Sequence, residues 1–136
     1  MVIDYTSPQW SGLRVESSEI AGAGDGLFAQ RYFSAGEIIC DYRGRVLSLA
    51  EALRLKDTTY LMGLSLKVHL DASEAFEIPG RYVNDNFDAS KINAKFKKFP
   101  QLWKAQLVAI RAINPGDEIY AAYGESYWRA RRRSSP

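Results

Sequence analysis

Short runs of alternating apolar and polar residues fill most of the chain. Leu13-Arg14-Val15-Glu16 alternates strictly, which puts its apolar side chains on one face of a strand. Leu27-Phe28-Ala29 and Ile38-Ile39-Cys40-Asp41-Tyr42 read as two more short strands, with Ser34-Ala35-Gly36-Glu37 as the turn between them. Gly22, Gly24 and Gly26 interrupt the pattern before Leu27 and predict a loop. Ser48-Leu49-Ala50-Glu51 has the form of a capping box, so a helix is expected from Leu49 to Lys56 with Leu49, Ala52 and Leu53 on one side. Residues 60–78 divide into two or three short strands, and Pro79 is placed to open a short helix through Val83. Leu107-Val108-Ala109-Ile110-Arg111-Ala112-Ile113 carries the strongest buried-strand signal and ends in the turn Asn114-Pro115-Gly116-Asp117. A terminal helix is expected over 125–130. Many short strands with little helix describe a mostly β protein and exclude a doubly wound nucleotide-binding sheet.

Composition narrows the classes. The 136 residues suit one domain, and 46% of them are hydrophobic, enough for a core. No apolar run approaches the ~20 residues of a membrane span, and the N-terminus lacks the pattern of a signal peptide. The expected setting is cytosolic or nuclear. Cys40 is the single cysteine and His69 the single histidine, which excludes an internal disulfide and a Cys/His zinc site. Cys40 reads as a buried thiol.

The net charge of +2 hides an asymmetry. Residues 1–90 hold eight Lys/Arg and thirteen Asp/Glu, while residues 91–136 hold ten Lys/Arg and three Asp/Glu. An acidic half suits a basic peptide, and a basic half suits nucleic acid. Two solvated surfaces with no partner are the plainer alternative.

Three segments bear on chemistry. Ala23-Gly24-Asp25-Gly26-Leu27-Phe28 can bring backbone amides close to a ligand. Gly80-Arg81-Tyr82-Val83-Asn84-Asp85-Asn86 offers Asn84, which has both an acceptor and donors for a polar cofactor. The third is Pro115-Gly116-Asp117-Glu118-Ile119-Tyr120-Ala121-Ala122-Tyr123-Gly124. Singly, each is also read as a turn or a core segment.

In this order and spacing the three resemble the SET-domain family of protein lysine methyltransferases. The first is similar to the family's glycine-rich cofactor loop. Asp41-Tyr42-Arg43-Gly44 resembles its following strand. Arg81-Tyr82-Val83-Asn84 resembles its arginine-aromatic-aliphatic-Asn motif. Gly116-Asp117-Glu118 with Tyr123-Gly124 resembles its glycine-acid-glutamate strand and catalytic tyrosine. The ending Tyr123-Gly124-Glu125-Ser126-Tyr127-Trp128 is similar to minimal, virus-type members without a zinc-binding tail. The resemblance covers roughly Leu13 to Trp128. It implies a SET-domain fold of small β-sheets with a C-terminal pseudoknot and few short helices. It places one domain over 1–128 and a basic tail over 129–136.

By implication the reaction is methyl transfer from S-adenosylmethionine to the side-chain amine of a protein lysine, with histone tails the commonest family target. Tyr123 and Tyr42 then take the catalytic positions, Tyr123 orienting the reacting groups and Tyr42 lining the lysine channel. Ala23, Gly24, Asp25, Gly26, Arg81, Tyr82, Asn84, Asp85 and Trp128 take the cofactor, with Tyr127 as the alternative to Trp128 over the adenine. A basic second half containing Lys91, Lys95, Lys97, Lys98 and Lys104 suits contact with DNA or a nucleosome, and the expected location is nuclear or chromatin-associated, with the cytoplasm as the alternative.

The chain departs from the family at three places. Asp85 stands where the family usually has His, adding negative charge beside the cofactor. Asn86-Phe87-Asp88-Ala89-Ser90 lacks the usual Ser-Cys-x-Pro-Asn ending. Ala121 stands where many members carry an aromatic residue that tunes the number of methyl groups added; unless Tyr60 or Tyr82 fills the space, more than one methyl is expected. The sequence also fits two rival readings: a SET-like or PR-like binding module with weak or no catalysis, and a nucleic-acid-binding domain.

Overall fold

The structure is a computed structural model, and it describes residues 2–123. The strict alternation at the start of the chain forms β1 (Leu13–Ser17), which pairs antiparallel with β2 (Asp25–Ala29). Leu13 faces Ala29 and Ser17 faces Asp25, so the glycine-bearing loop between them returns directly onto its own sheet. Trp10 and Leu13 are buried here with Leu27 and Phe33 in the main core.

A second sheet is built from β3 (Ile38–Tyr42), β7 (Ala94–Phe99) and β8 (Lys104–Ala109), in the order β3-β8-β7 and antiparallel throughout. The third, in the order β4-β6-β5, contains β4 (Arg45–Leu47), β5 (Leu61–Gly63) and β6 (His69–Asp71). Of the two or three short strands expected within 60–78, β5 and β6 are the two that form. A smaller cluster of Tyr42, Leu64, Leu70, Ala72 and Ala105 lies between the second and third sheets, with Tyr60, Met62 and Phe96 packed against it.

The one α-helix among the described residues, α1 (Leu49–Leu53), starts where the capping box places it. The Ser48 hydroxyl accepts from the Glu51 amide at 3.2 Å, and the Glu51 carboxylate accepts from the Ser48 amide at 3.0 Å. It is shorter than expected, and Leu53 is 76% exposed, so only Ala52 of its apolar residues is fully buried. Pro79 opens a 3-10 turn over Pro79–Tyr82. The strand expected over 107–113 ends at Ala109, because the chain there leaves β3, and beyond it Ile113 forms only an isolated bridge with Phe33, ahead of β3. Three strand positions are thereby lost, and Ile110 is exposed. The expected terminal helix lies outside the described residues.

The last described segment is threaded between two earlier ones. The Ile119 amide donates to the Leu27 carbonyl, and the Ala121 amide donates to the Asn84 carbonyl. On the opposite edge, the Tyr120 carbonyl accepts from the amides of Asn93 and Ala94. Alternate residues of an extended chain point their backbone groups to opposite edges, so 118–121 lies between Asn84 and Asn93-Ala94. The chain from 84 to 93 must therefore cross over it, which is the pseudoknot expected of the fold. Asn93 locks the crossing: its side-chain amide donates to the Glu118 carbonyl at 3.0 Å, and its oxygen accepts from the Tyr120 amide at 2.8 Å.

Candidate active site

The pseudoknot delivers Tyr123 to a wall between two cavities. One, of about 490 Å³, is lined by the 20–25 loop, Tyr82, Asn84, Asp85 and Phe87. The other, of about 530 Å³, is lined by Tyr42, Leu61, Met62, Gly63, His69, Lys95, Phe96, Lys98 and Ala122 among others. Thr59, Tyr60, Arg81 and Tyr123 line both, so a molecule in one cavity and a molecule in the other meet across these four residues.

Tyr123 is held at both ends. Its amide donates to Asp85 Oδ2 at 2.9 Å, and its hydroxyl donates to the Val83 carbonyl. Asp85, the departure from the family pattern, thus has a structural partner in the tyrosine itself. Tyr42 is buried, lines only the second cavity, stacks edge-on against Phe96 at 5.7 Å and donates its hydroxyl to the Tyr60 carbonyl.

Arg81 braces the shared wall. Its guanidinium lies 4.1 Å over Tyr60, 4.4 Å over Phe76 and 5.2 Å over Tyr82, the arrangement of a cation on aromatic faces. Its Nε also donates to the Ala72 carbonyl at 2.9 Å. Tyr82 is buried against Trp10 and donates to the Phe76 carbonyl at 2.6 Å; burial raises its hydroxyl pKa.

Ala23, Gly24 and Asp25 line the first cavity, and Gly24 has a left-handed φ of +75°, which a side chain rarely adopts. Gly26 sits behind them. A Cβ there would lie 2.3 Å from Glu118 Oε2, so the missing side chain makes room for that carboxylate. Glu118 is 3% exposed and makes no ion pair among the described residues. Four donors satisfy it: the Ser18 hydroxyl at 2.8 Å, the Glu19 amide at 2.7 Å, Asn84 Nδ2 at 3.3 Å and the Tyr120 hydroxyl at 2.9 Å. This fan of hydrogen bonds replaces lost hydration. Burial first, then the Glu118 hydrogen bond and charge, push the Tyr120 pKa up. Asn84 Nδ2 also donates to the Asp25 carbonyl at 2.8 Å and so ties the glycine loop to the pseudoknot.

The sequence pointed to Tyr123, Tyr42, the glycine loop, Arg81, Tyr82, Asn84 and Asp85, and these residues converge on the two cavities and their shared wall, with Gly26 just behind. Trp128 and Tyr127 lie outside the described residues. Thr59 in the shared wall, Phe96 opposite Tyr42, and the Asn93 and Glu118 supports were missed as site residues, and Tyr60 was named only as a ring to fill the space left by Ala121. Ala121 is fully buried in the main core and lines neither cavity, whereas its neighbour Ala122 lines the second. Cys40 is buried as expected, and burial raises its pKa strongly.

Small sheets closed by a pseudoknot, with a tyrosine between two cavities, define the architecture of a SET domain. Residues 24–124 match the family described as SET domain, and the chain belongs to that family. It is 28% identical over 127 residues to N-lysine methyltransferase KMT5A of Xenopus tropicalis, covering 85% of this chain and 36% of that protein. It is 30% identical over 118 residues to histone-lysine N-methyltransferase mes-4 of Caenorhabditis elegans, covering 74% of this chain and 13% of that protein. A solved structure of a humanized mutant of the Chaetomium thermophilum Polycomb Repressive Complex 2, bound to the inhibitor GSK343, is similar with a TM-score of 0.66 and 27% identity, covering 82% of this chain and 15% of that one. The chain therefore spans about a third or less of the relatives it matches.

Proposed function

We propose that the chain transfers a methyl group from S-adenosylmethionine to the side-chain amine of a lysine in another protein. The observation that carries this reading is the wall of Thr59, Tyr60, Arg81 and Tyr123 shared by two cavities. A group-transfer enzyme that aligns two reactants needs two adjoining compartments, and alignment alone can lower a barrier by roughly 7–11 kcal/mol.

The residues of the first cavity fit the cofactor. Its volume is within the roughly 300–1,000 Å³ of small-molecule sites. Asp25 and Asp85 complement its two positive groups, Arg81 its carboxylate, and the rings of Tyr60 and Tyr82 its adenine. When bound, S-adenosylmethionine supplies an electrophilic methyl carbon. The chain's part is to hold the glycine loop through Asn84, to position the lysine with Tyr42, and to orient the reacting groups with the Tyr123 hydroxyl. The lysine must be neutral when it attacks, although its free pKa is ~10.4. Burial among Tyr42, Met62 and Phe96 and the nearby Arg81 both favour the neutral amine.

Histone lysines are the first substrates to test, since mes-4 carries that activity in its name. A nuclear location follows from that choice. Basic residues of the second half that do not line the second cavity, such as Lys91 and Lys97, then offer contact with DNA or a nucleosome.

A second reading keeps the fold as a binding module without catalysis. It draws on the Asn84 amide group, whose nitrogen already meets Asp25 and Glu118. The experiment that separates the two is calorimetry with S-adenosylmethionine, followed by mass spectrometry of a histone and ribosomal protein panel. Binding followed by added methyl groups on lysine supports the enzyme. No heat at millimolar cofactor supports the module.

A further inference from the structure

Charge is divided across the Tyr123 wall. The first cavity carries two carboxylates, Asp25 and Asp85, in its lining. Among the described residues the second is lined by no acidic residue and by Lys95 and Lys98, while Arg81 lines both cavities. The two lysines come from β7, are exposed, and make no ion pair among the described residues. Lys97, between them, lies 5.5 Å over the Phe99 ring and does not line this cavity.

β7 is the edge of its sheet, and edge lysines commonly serve to block pairing with other chains. That role asks only for exposure. It does not account for two of the three lysines bordering the cavity opposite the cofactor side.

The lysine being methylated is itself a cation until it loses its proton. Entry past Lys95 and Lys98 is opposed by like charge, and a flanking Lys or Arg adds to the repulsion. Carboxylates beside the target lysine reverse the sign of that encounter. Once inside, the same cations favour the neutral amine that can react.

We propose that this site selects lysines flanked by acidic residues, which Lys95 and Lys98 draw to the second cavity. The proposal rests on the methyltransferase reading and names its substrate class. It runs against the sequence-based expectation of a basic histone tail, which drew on the net charge of the first ninety residues. The second cavity is instead lined by cations from β7.

The test uses the 136-residue chain and three peptides with a central lysine between acidic, neutral or basic flanks. Turnover is read with S-adenosylmethionine. Binding is read separately by fluorescence anisotropy, so that failure of catalysis does not obscure docking. The acidic peptide is expected to exceed the basic one at least tenfold in kcat/KM and in affinity. The difference should shrink as salt rises from about 50 to about 500 mM. A Lys95→Glu/Lys98→Glu double variant, altered only at exposed positions, should reverse the order. Preferential binding without turnover would leave the charge selection standing and defeat the enzymatic reading. Equal binding, preference for the basic peptide, or an unchanged order in the double variant would overturn the selection. So would strong duplex DNA binding lost in the double variant, because it would assign these lysines to phosphate contacts.

Discussion

The Tyr123 amide donates to Asp85 Oδ2 at 2.9 Å, so the residue that replaces the family's usual histidine holds the backbone of the tyrosine between the two cavities. Asp85 therefore acts on the position of Tyr123 as well as on the charge of the first cavity. Replacing Asp85 with Ala leaves that amide without its acceptor, at a cost of about 1–3 kcal/mol. The expected result is a lower kcat with a smaller change in peptide KM, and a lower urea midpoint. Asp85→Asn keeps an oxygen acceptor and should recover most of both. Equal behaviour of the two variants would contradict this role.

Glu118 joins segments nearly one hundred residues apart. Glu118→Gln turns one acceptor oxygen into a donor facing Ser18, Glu19, Asn84 or Tyr120. Loss of about 2–3 kcal/mol of stability is expected from the unmatched buried donors. Cofactor affinity should fall with it, because the glycine loop is tied to the pseudoknot through this carboxylate and Asn84. Chemical denaturation and cofactor calorimetry check the two effects.

Gly80 lets the turn before Arg81 lie against β3. A Cβ there would sit 2.7 Å from the Asp41 carbonyl oxygen and 3.1 Å from the Tyr42 Cα. Both are backbone atoms and cannot swing aside. Gly80→Ala should cost about 1–3 kcal/mol through overpacking. It should also displace Tyr42 and raise the peptide KM more than the cofactor Kd. Steady-state kinetics beside cofactor titration would detect the split.

Alkaline pH should weaken the fold through Cys40. Burial, with a smaller contribution from Asp41, keeps its thiol protonated far above the ordinary value of 9.0. A folded-state pKa that is raised contributes stability that is complete below the unfolded pKa and lost as pH rises. Between about pH 9 and 10 the unfolded chain gives up a proton that the folded chain keeps, so stability falls by up to about 1.4 kcal/mol per pH unit. Urea midpoints over that range should decline, and Cys40→Ala should flatten the decline. An equally steep decline in the variant would remove Cys40 as its cause.

Much of the fold was legible because its signals are local. The capping box of Ser48 and Glu51, the alternation through Leu13–Glu16 and the apolar run at Ile38–Tyr42 each declare an element within a few residues. β7 escaped notice because Lys95, Lys97 and Lys98 make it look like a basic stretch, and only its pairing with β8 reveals a strand. The candidate site was legible where glycine spacing and Tyr123 carry the family resemblance. Its supports were not. Tyr60 and Arg81 are separated in sequence and become one wall by stacking at 4.1 Å. Asn93 and Glu118 matter through hydrogen bonds that exist only once the chain has crossed itself. Ala121 read as a small residue at the position that tunes methyl number, and its burial in the core comes from its place in the threaded segment.

The most direct test is the rate of methyl transfer from S-adenosylmethionine to peptide lysine by the chain and by its Tyr123→Phe variant, with cofactor affinity measured on both. Loss of at least about 100-fold in kcat with little change in cofactor affinity is predicted, the scale associated with removing one oriented polar group at a reacting centre. Full activity in the variant, or no transfer by the unaltered chain to lysine in any flanking context, would contradict the account.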